Sequence, residues 1–187
     1  MQGRTEYTHD KLHETIRCQR NWDWDNQVTP EHLAILDEYV AKPAQQQGER
    51  MFSVARIHND MEKISDIHDN LNKSNTQVLA PLVYIWFPLD EHVWDHHLQA
   101  GFHAGIISKL ANELGYATGF CGCGASENSE WSSITEKYNL TPVEDYKDPI
   151  FILSIGHGKP DTPYNKDHLE NFIHTHHRYD HAPVKTV

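Results

Sequence analysis

The residues best suited to chemistry are the stretch GYATGFCGCG (Gly115 to Gly124) and two arginines close to each other in the sequence, Arg17 and Arg20. The stretch has three uses open to it: a metal loop, a redox pair, or a backbone that something flat approaches closely. Cys121 and Cys123 lack the further ligands of a structural zinc site, and a disulfide between them would strain the chain. Packing in a core or loop is the plainer expectation for both. Glycine has no Cβ, so a wide planar group could come within reach of main-chain N–H groups here. Arg17 and Arg20 stand near the end of a predicted helix. By themselves they read as solvated helix-end charges; as a pair they could hold a phosphate in a water-poor site.

Other chemistry-bearing residues point less clearly. In HTHHRYDH (His174 to His181), His177 and His181 would share a helix face, but no Cys or Glu cluster accompanies them, and a solvated tail is the expectation. His96 and His97 in WDHH open a long helix, where a general-acid role stays open without a partner to support it. No Gly-x-Ser-x-Gly and no oriented Cys–His pair marks a nucleophile. No metal is expected.

These residues are carried on a chain of 187 residues with 38% hydrophobic content and five tryptophans, enough to bury the core of a single domain. The formal charge of −11 argues against nucleic acid or an anionic membrane as partner, since both are polyanions. The longest apolar run, VLAPLVYIWFPL, is too short to span a bilayer and is broken by Pro81 and Pro88. No signal-peptide pattern opens the chain, and three cysteines without framework spacing make a reducing cytoplasm the expected location.

The positioning elements follow from periodicity and punctuation. A first helix should end near Arg20. Thr29 and Pro30 open a helix through Lys42 with Leu33, Leu36 and Val40 on one stripe. Met51 to Ile57 alternates as a strand, Asn59 to Lys73 is an amphipathic helix, and Pro81 to Phe87 reads as a strand buried on both faces. A long helix over Asp90 to Leu114 carries Gly101, Ala104, Gly105 and Ala111, small residues that would allow close helix contact across a two-fold axis. Gly115 should end it and a strand should follow. A short helix capped by Ser126 or Ser129 and a last strand, Pro149 to Gly156, complete an α+β or α/β arrangement around one sheet.

Six segments follow one another: RCQRNW (Arg17 to Trp22), Pro30-Glu31, KPAQQQGE (Lys42 to Glu49), Ala80-Pro81, Leu114-Gly115 and the glycine turn at Gly156. In that order they resemble the nitroreductase family, FMN-binding proteins. The resemblance covers nearly the whole chain with loose motifs. It implies an α+β fold with a mixed central sheet flanked by helices, an intertwined homodimer, and a C-terminal segment of about 159–187 wrapping the partner. By resemblance, Arg17 faces the FMN phosphate, Arg20 reaches N1 and O2 of the ring, and Cys18 and Gln19 share the remaining polar contacts. Pro43, Ala44, Gln45 and Gln47 border the ring, and Asn75 contacts its pyrimidine edge. Phe120, Cys121, Gly122 and Cys123 form the loop facing N5, and Lys166 or Arg178 supplies a C-terminal cation.

Three positions depart from the family pattern. Cys18 stands where serine is usual, Gln47 replaces an asparagine, and Gly122-Cys123 replaces Glu-Gly, which removes a carboxylate. The implied activity is transfer of electrons from NADH or NADPH to a conjugated electrophile such as a nitroaromatic or a quinone. The flavin carries that chemistry, so no side chain is demanded as acid or base. Reductive dehalogenation, oxygen-dependent flavin breakdown and a non-enzymatic flavin- or metal-binding module stay open.

Overall fold

The structure is a computed structural model that describes residues 19–42, 51–70, 76–89, 93–122, 131–140 and 149–159. Its elements are β1 (Trp22–Asp23), α1 (Pro30–Ala41), β2 (Phe52–His58), α2 (Met61–Asn70), a 3-10 turn (Thr76–Val78), β3 (Leu82–Pro88), α3 (Trp94–Glu113), β4 (Ala117–Cys121), α4 (Trp131–Tyr138) and β5 (Phe151–Gly158). The expected helix ending near Arg20, like the expected caps Ser126 and Ser129, lies outside the described residues.

Local chemistry sets the helix ends. The Thr29 hydroxyl accepts from the His32 N–H at 3.3 Å, and Pro30 fills the first helical position, where no amide donor is needed. At the other end of the fold, Gly115 adopts φ +92° just after α3. Its N–H donates to Asn112 O at 3.0 Å, and Tyr116 N–H donates to Ala111 O at 2.9 Å. This pair of bonds satisfies the last carbonyls of the helix and turns the chain into β4.

The sheet runs β1-β5-β3-β2, with β4 also paired to β5, and every described ladder is antiparallel. β3 is buried from end to end, as its unbroken aliphatic and aromatic run predicts. One face of the sheet presents Ile57, Val83, Ile85, Phe87, Cys121 and Ile152 to Ile64 and Ile67 of α2 and to Ile134 of α4. The other presents Leu82, Tyr84, Trp86, Leu153 and Ile155 to Leu36 of α1 and to Ala100, Ala104, Ile107 and Ala111 of α3. Each large side chain so buried contributes about 1.5–3 kcal/mol.

Polar clamps fix the outer layers. The Tyr84 hydroxyl donates to Asp37 Oδ1 at 2.9 Å, while Arg56 pairs with the other carboxylate oxygen, holding α1 against β2 and β3. Burial, reinforced by Asp37, pushes the Tyr84 phenol well above its usual range. On the opposite layer Asp66 of α2 accepts from Lys137 and from the Tyr138 hydroxyl of α4. Inside the sheet–α3 contact, Trp86 Nε1–H donates to His103 Nδ1 at 3.2 Å. That assigns the imidazole proton to Nε2, which donates to Tyr39 O at 3.2 Å.

The fold corrects one expectation about α3. Ala100, Ala104 and Ala111 are buried against the chain's own sheet, not available to a second copy. Gly101 and Gly105 lie on the outer face, where no heavy atom of the described residues comes within 4 Å of a Cβ position.

Candidate functional site

The structure joins two of the segments singled out in the sequence. The chain from Gln19 to Trp24 is strapped across the β4–β5 end of the sheet. Gln19 N–H donates to Thr118 O at 2.8 Å, and Lys159 N–H donates to Asn21 O at 3.1 Å. Two indoles fasten the strap: Trp22 Nε1–H donates to Gln77 O at 3.1 Å, and Trp24 Nε1–H donates to Leu79 O at 2.9 Å. Gln19 is thereby held beside Thr118 and Gly119 of β4, and Arg20 follows it in the strap.

The glycines explain how the strap fits. A Cβ on Gly119 would stand 2.7 Å from Gln19 O and 3.2 Å from Trp22 Cζ2. One on Gly156 would stand 2.9 Å from the Pro81 ring and 3.3 Å from Trp22. Backbone closeness was expected to admit a flat ligand along the whole glycine-rich stretch. At Gly119 it admits the chain's own residues instead. Gly122 differs: it is exposed, and among the described residues no heavy atom comes within 4 Å of its Cβ position, which leaves its main chain clear of them.

Arg20 is half-buried and makes no ion pair among the described residues. A guanidinium held partly out of water, with no carboxylate on it, matches the donor chemistry needed by an anionic group. Phe120 points to the α3 side of the sheet, 42% exposed, with its ring 6.2 Å from Phe151. Phe151 in turn stacks on Trp86 at 5.2 Å. Cys121 is buried in the core and disulfide-bonded. Packing in a core or loop was the expectation for it; the structure places it in the core, and the covalent bond was not foreseen. Arg17, Cys18, Pro43, Ala44, Gln45, Gln47, Asn75, Cys123, Lys166 and Arg178 lie outside the described residues, as does the histidine-rich tail. Among the described residues no group of three or more His, Cys, Asp or Glu side chains could hold a metal.

Sequence reasoning passed over Trp24, Gln77 and Gly158 as parts of this site. Each acts through position: Trp24 anchors the strap, Gln77 O receives Trp22, and Gly158 leaves room for the Gln19 side chain. The alternating Trp22-x-Trp24 pair was the available signal.

A second surface feature belongs to α3. Trp94, Leu98, Phe102 and Ile106 recur every four residues and are 71%, 53%, 67% and 40% exposed, a continuous apolar stripe on the outer face. Beside it runs an open groove of about 650 Å³ bounded by Tyr39, Phe102, Ile106 and Leu110, with Gly101 and Gly105 in its floor. No described helix is long and apolar enough to cross a membrane.

No family model matches the sequence, and no curated protein does. Solved structures do. An FMN-dependent nitroreductase from Clostridium difficile R20291 superposes with a TM-score of 0.65 at 20% identity, covering 80% of this chain and 92% of its own. A nitroreductase with bound FMN from Bacteroides fragilis NCTC 9343 gives 0.64 at 12% identity, over 81% and 90% of the two chains. A nitroreductase family protein from Clostridium novyi NT gives 0.63 at 12% identity, over 82% and 87%. This chain has the fold that those proteins share.

Proposed function

We propose that this protein is an FMN-dependent oxidoreductase that passes electrons from NADH or NADPH to a conjugated electrophile such as a nitroaromatic or a quinone. The observation that carries the proposal is the strap. It sets Gln19 against Thr118 and Gly119 of β4, so that two segments distant in sequence, which the family resemblance assigns to one flavin, meet in a chain with the fold of FMN-binding nitroreductases.

Bound FMN would supply the two-electron transfer between the two substrates. The chain's own residues position it. Arg20, lacking a carboxylate partner among the described residues, offers its guanidinium to the anionic edge of the ring. Gly122 leaves the strand end clear of side-chain bulk, so main chain rather than side chain meets the ring. Phe120 gives an exposed apolar edge beside that opening. No acid or base is required of the protein, since substrate or solvent can carry the proton.

The protein acts as a homodimer in this proposal, and α3 is the contact. A two-fold axis through the middle of Trp94–Glu113 sets Phe102 against the partner's Gly105 and Ile106 against the partner's Gly101. Each large side chain meets a position with open space above it, which makes the face complementary to itself.

The test of function is flavin itself. Protein purified without added cofactor should absorb near ~450 nm or take up FMN on titration, as a flavin site requires. Arg20→Ala should weaken FMN about tenfold, the worth of one charge-assisted contact. A protein that binds no FMN overturns the proposal.

A further inference from the structure

We propose that Tyr84 and Trp86 of β3 form a radical relay that carries one-electron oxidising equivalents out of the core to the partly exposed carboxylate of Asp37. The two residues stand two apart on the strand, so they share a face of the sheet. Both are fully buried, and their rings meet edge to face with centroids 6.2 Å apart. Indole and phenol are among the side chains that give up an electron most readily, and each then sheds its N–H or O–H proton. In this pair each of those protons already rests on an acceptor. Trp86 Nε1–H donates to His103 Nδ1 at 3.2 Å, and the Tyr84 hydroxyl donates to Asp37 Oδ1 at 2.9 Å. His103 can take a proton at Nδ1, because its own sits on Nε2 and is given to Tyr39 O.

The surroundings set the direction of transfer. An electron lost from Trp86 leaves its proton, and with it a full positive charge, on an imidazole only 2% exposed, and a buried charge is costly. An electron lost from Tyr84 sends the phenolic proton to a carboxylate that is already charged. That neutralises Asp37 at a side chain 34% exposed, from which water can take the proton. Arg56, the other partner of this carboxylate, is 44% exposed and stays solvated when the pairing is lost. Tyr84 is therefore where the radical comes to rest. Its phenol, pushed well above its usual range by burial and by Asp37, keeps its proton until the electron leaves. On the entry side Phe151 stacks on Trp86 at 5.2 Å and Phe120 meets Phe151 at 6.2 Å, which continues the ring contacts to an exposed edge.

The source of the oxidant rests on the flavin reading above: electrons that escape from a flavin to dioxygen give rise, through peroxide, to radicals of the hydroxyl class. Such a radical takes one electron from the protein and one proton from solvent and becomes water. Trp86 supplies the electron and passes its proton to His103. Tyr84 then gives an electron to Trp86, which recovers its proton from His103, and the phenolic proton moves to Asp37. The net change is one electron and one proton lost from Tyr84 for one radical reduced. A diffusible donor of the ascorbate class restores Tyr84 with one electron and is oxidised to its own radical, while the proton returns through Asp37.

The relay is read by pulse radiolysis, in which azide radical takes one electron from indole and becomes azide ion. In the wild-type protein the tryptophanyl signal should decay into a tyrosyl signal by a first-order phase independent of protein concentration. That phase should be slower in heavy water, because a proton moves with the electron. Tyr84→Phe and Trp86→Phe should each lose it. Asp37→Asn keeps an oxygen to accept the phenolic hydrogen bond but no base to take the proton, so it should slow the phase about tenfold or more. An undiminished phase in either aromatic variant, or equal rates in Asp37→Asn and wild type, overturns the proposal. Urea midpoints check that the variants fold, and the solvent comparison needs no variant: equal rates in light and heavy water overturn the coupled proton transfer. The measurement requires no flavin, so a protein that binds no FMN yet shows the phase keeps the relay and removes the proposed function instead.

Discussion

Two regions of the molecule use glycine in opposite ways. At the β4–β5 end of the sheet, Gly119 and Gly156 are crowded by Gln19, Trp22 and Pro81, so the missing Cβ is space that the chain itself occupies. On the outer face of α3, Gly101 and Gly105 have no described residue above them, though a glycine inside a helix costs about 0.5–1 kcal/mol relative to alanine. The first pair are necessary to the fold of one subunit. The second pair bear that cost with no described residue in the space, and in the proposed homodimer the partner subunit fills it. Residue type is the same in both regions; what surrounds the residue decides its role.

Substitution separates the two regions. Gly119→Ala places a methyl group 2.7 Å from a backbone oxygen, which no side-chain movement relieves. It should destabilise the protein by about 3 kcal/mol, seen as a lower urea midpoint. An unchanged midpoint would show that the strap does not rest on β4. Phe102→Asp addresses the other region. It should shift sedimentation from dimer to monomer, weakening association by about 2 kcal/mol or more as a desolvated charge replaces a buried ring. Because Phe102 is exposed in the single subunit, the variant monomer should keep its fold. A dimer that persists at micromolar concentration means α3 is not the contact.

Smaller effects sharpen the contrast. Gly115→Ala has room for its methyl but must hold φ +92°, so it should cost about 1 kcal/mol through the backbone alone. Equal stability of this variant and wild type would mean the helix end rearranges. The smallest effect is one of pH. Burial, with Arg56 as a lesser cause, holds the His58 imidazole below its ordinary pKa of 6.5, and its Nε2 is buried with no hydrogen-bond partner among the described residues. The folded state thus binds its proton less readily than the unfolded chain. Stability is full above about pH 6.5 and declines as pH falls through that value toward the folded pKa. Thermal midpoints between pH 7.5 and 5 should fall less steeply in His58→Gln than in wild type; identical slopes would remove His58 as a contributor.

What the sequence disclosed divides along the same line. Thr29-Pro30, Gly115 and the unbroken apolar run of β3 act through their immediate neighbours, and each appears where its type predicts. The observed strands β2 and β3 begin one residue later than expected, because apolar alternation does not mark where pairing starts. On α3 the expectation grouped Ala104 and Ala111 with Gly101 and Gly105 by size alone. Successive helix residues point about 100° apart, and that rotation turns the alanines inward and the glycines outward. The partners of Gly119 were not legible at all. Gln19 is a hundred positions away, and no local pattern announces a contact made across that distance.

The place of β5 in the sheet carries a consequence for synthesis. It is the last described strand, yet β1, β3 and β4 all pair with it. While the polypeptide is being made, of the described ladders only β2–β3 can form before β5 emerges. Some sixty residues separate the end of β3 from the start of β5, about 3–13 s of elongation at 5–20 residues per second. For that interval the apolar length of β3 lacks its second neighbour and the strap has no Gly156 or Gly158 to rest on. A nascent chain with so exposed a hydrophobic strand is the state in which chaperone binding and aggregation compete, and the arrival of Phe151–Gly158 ends the contest.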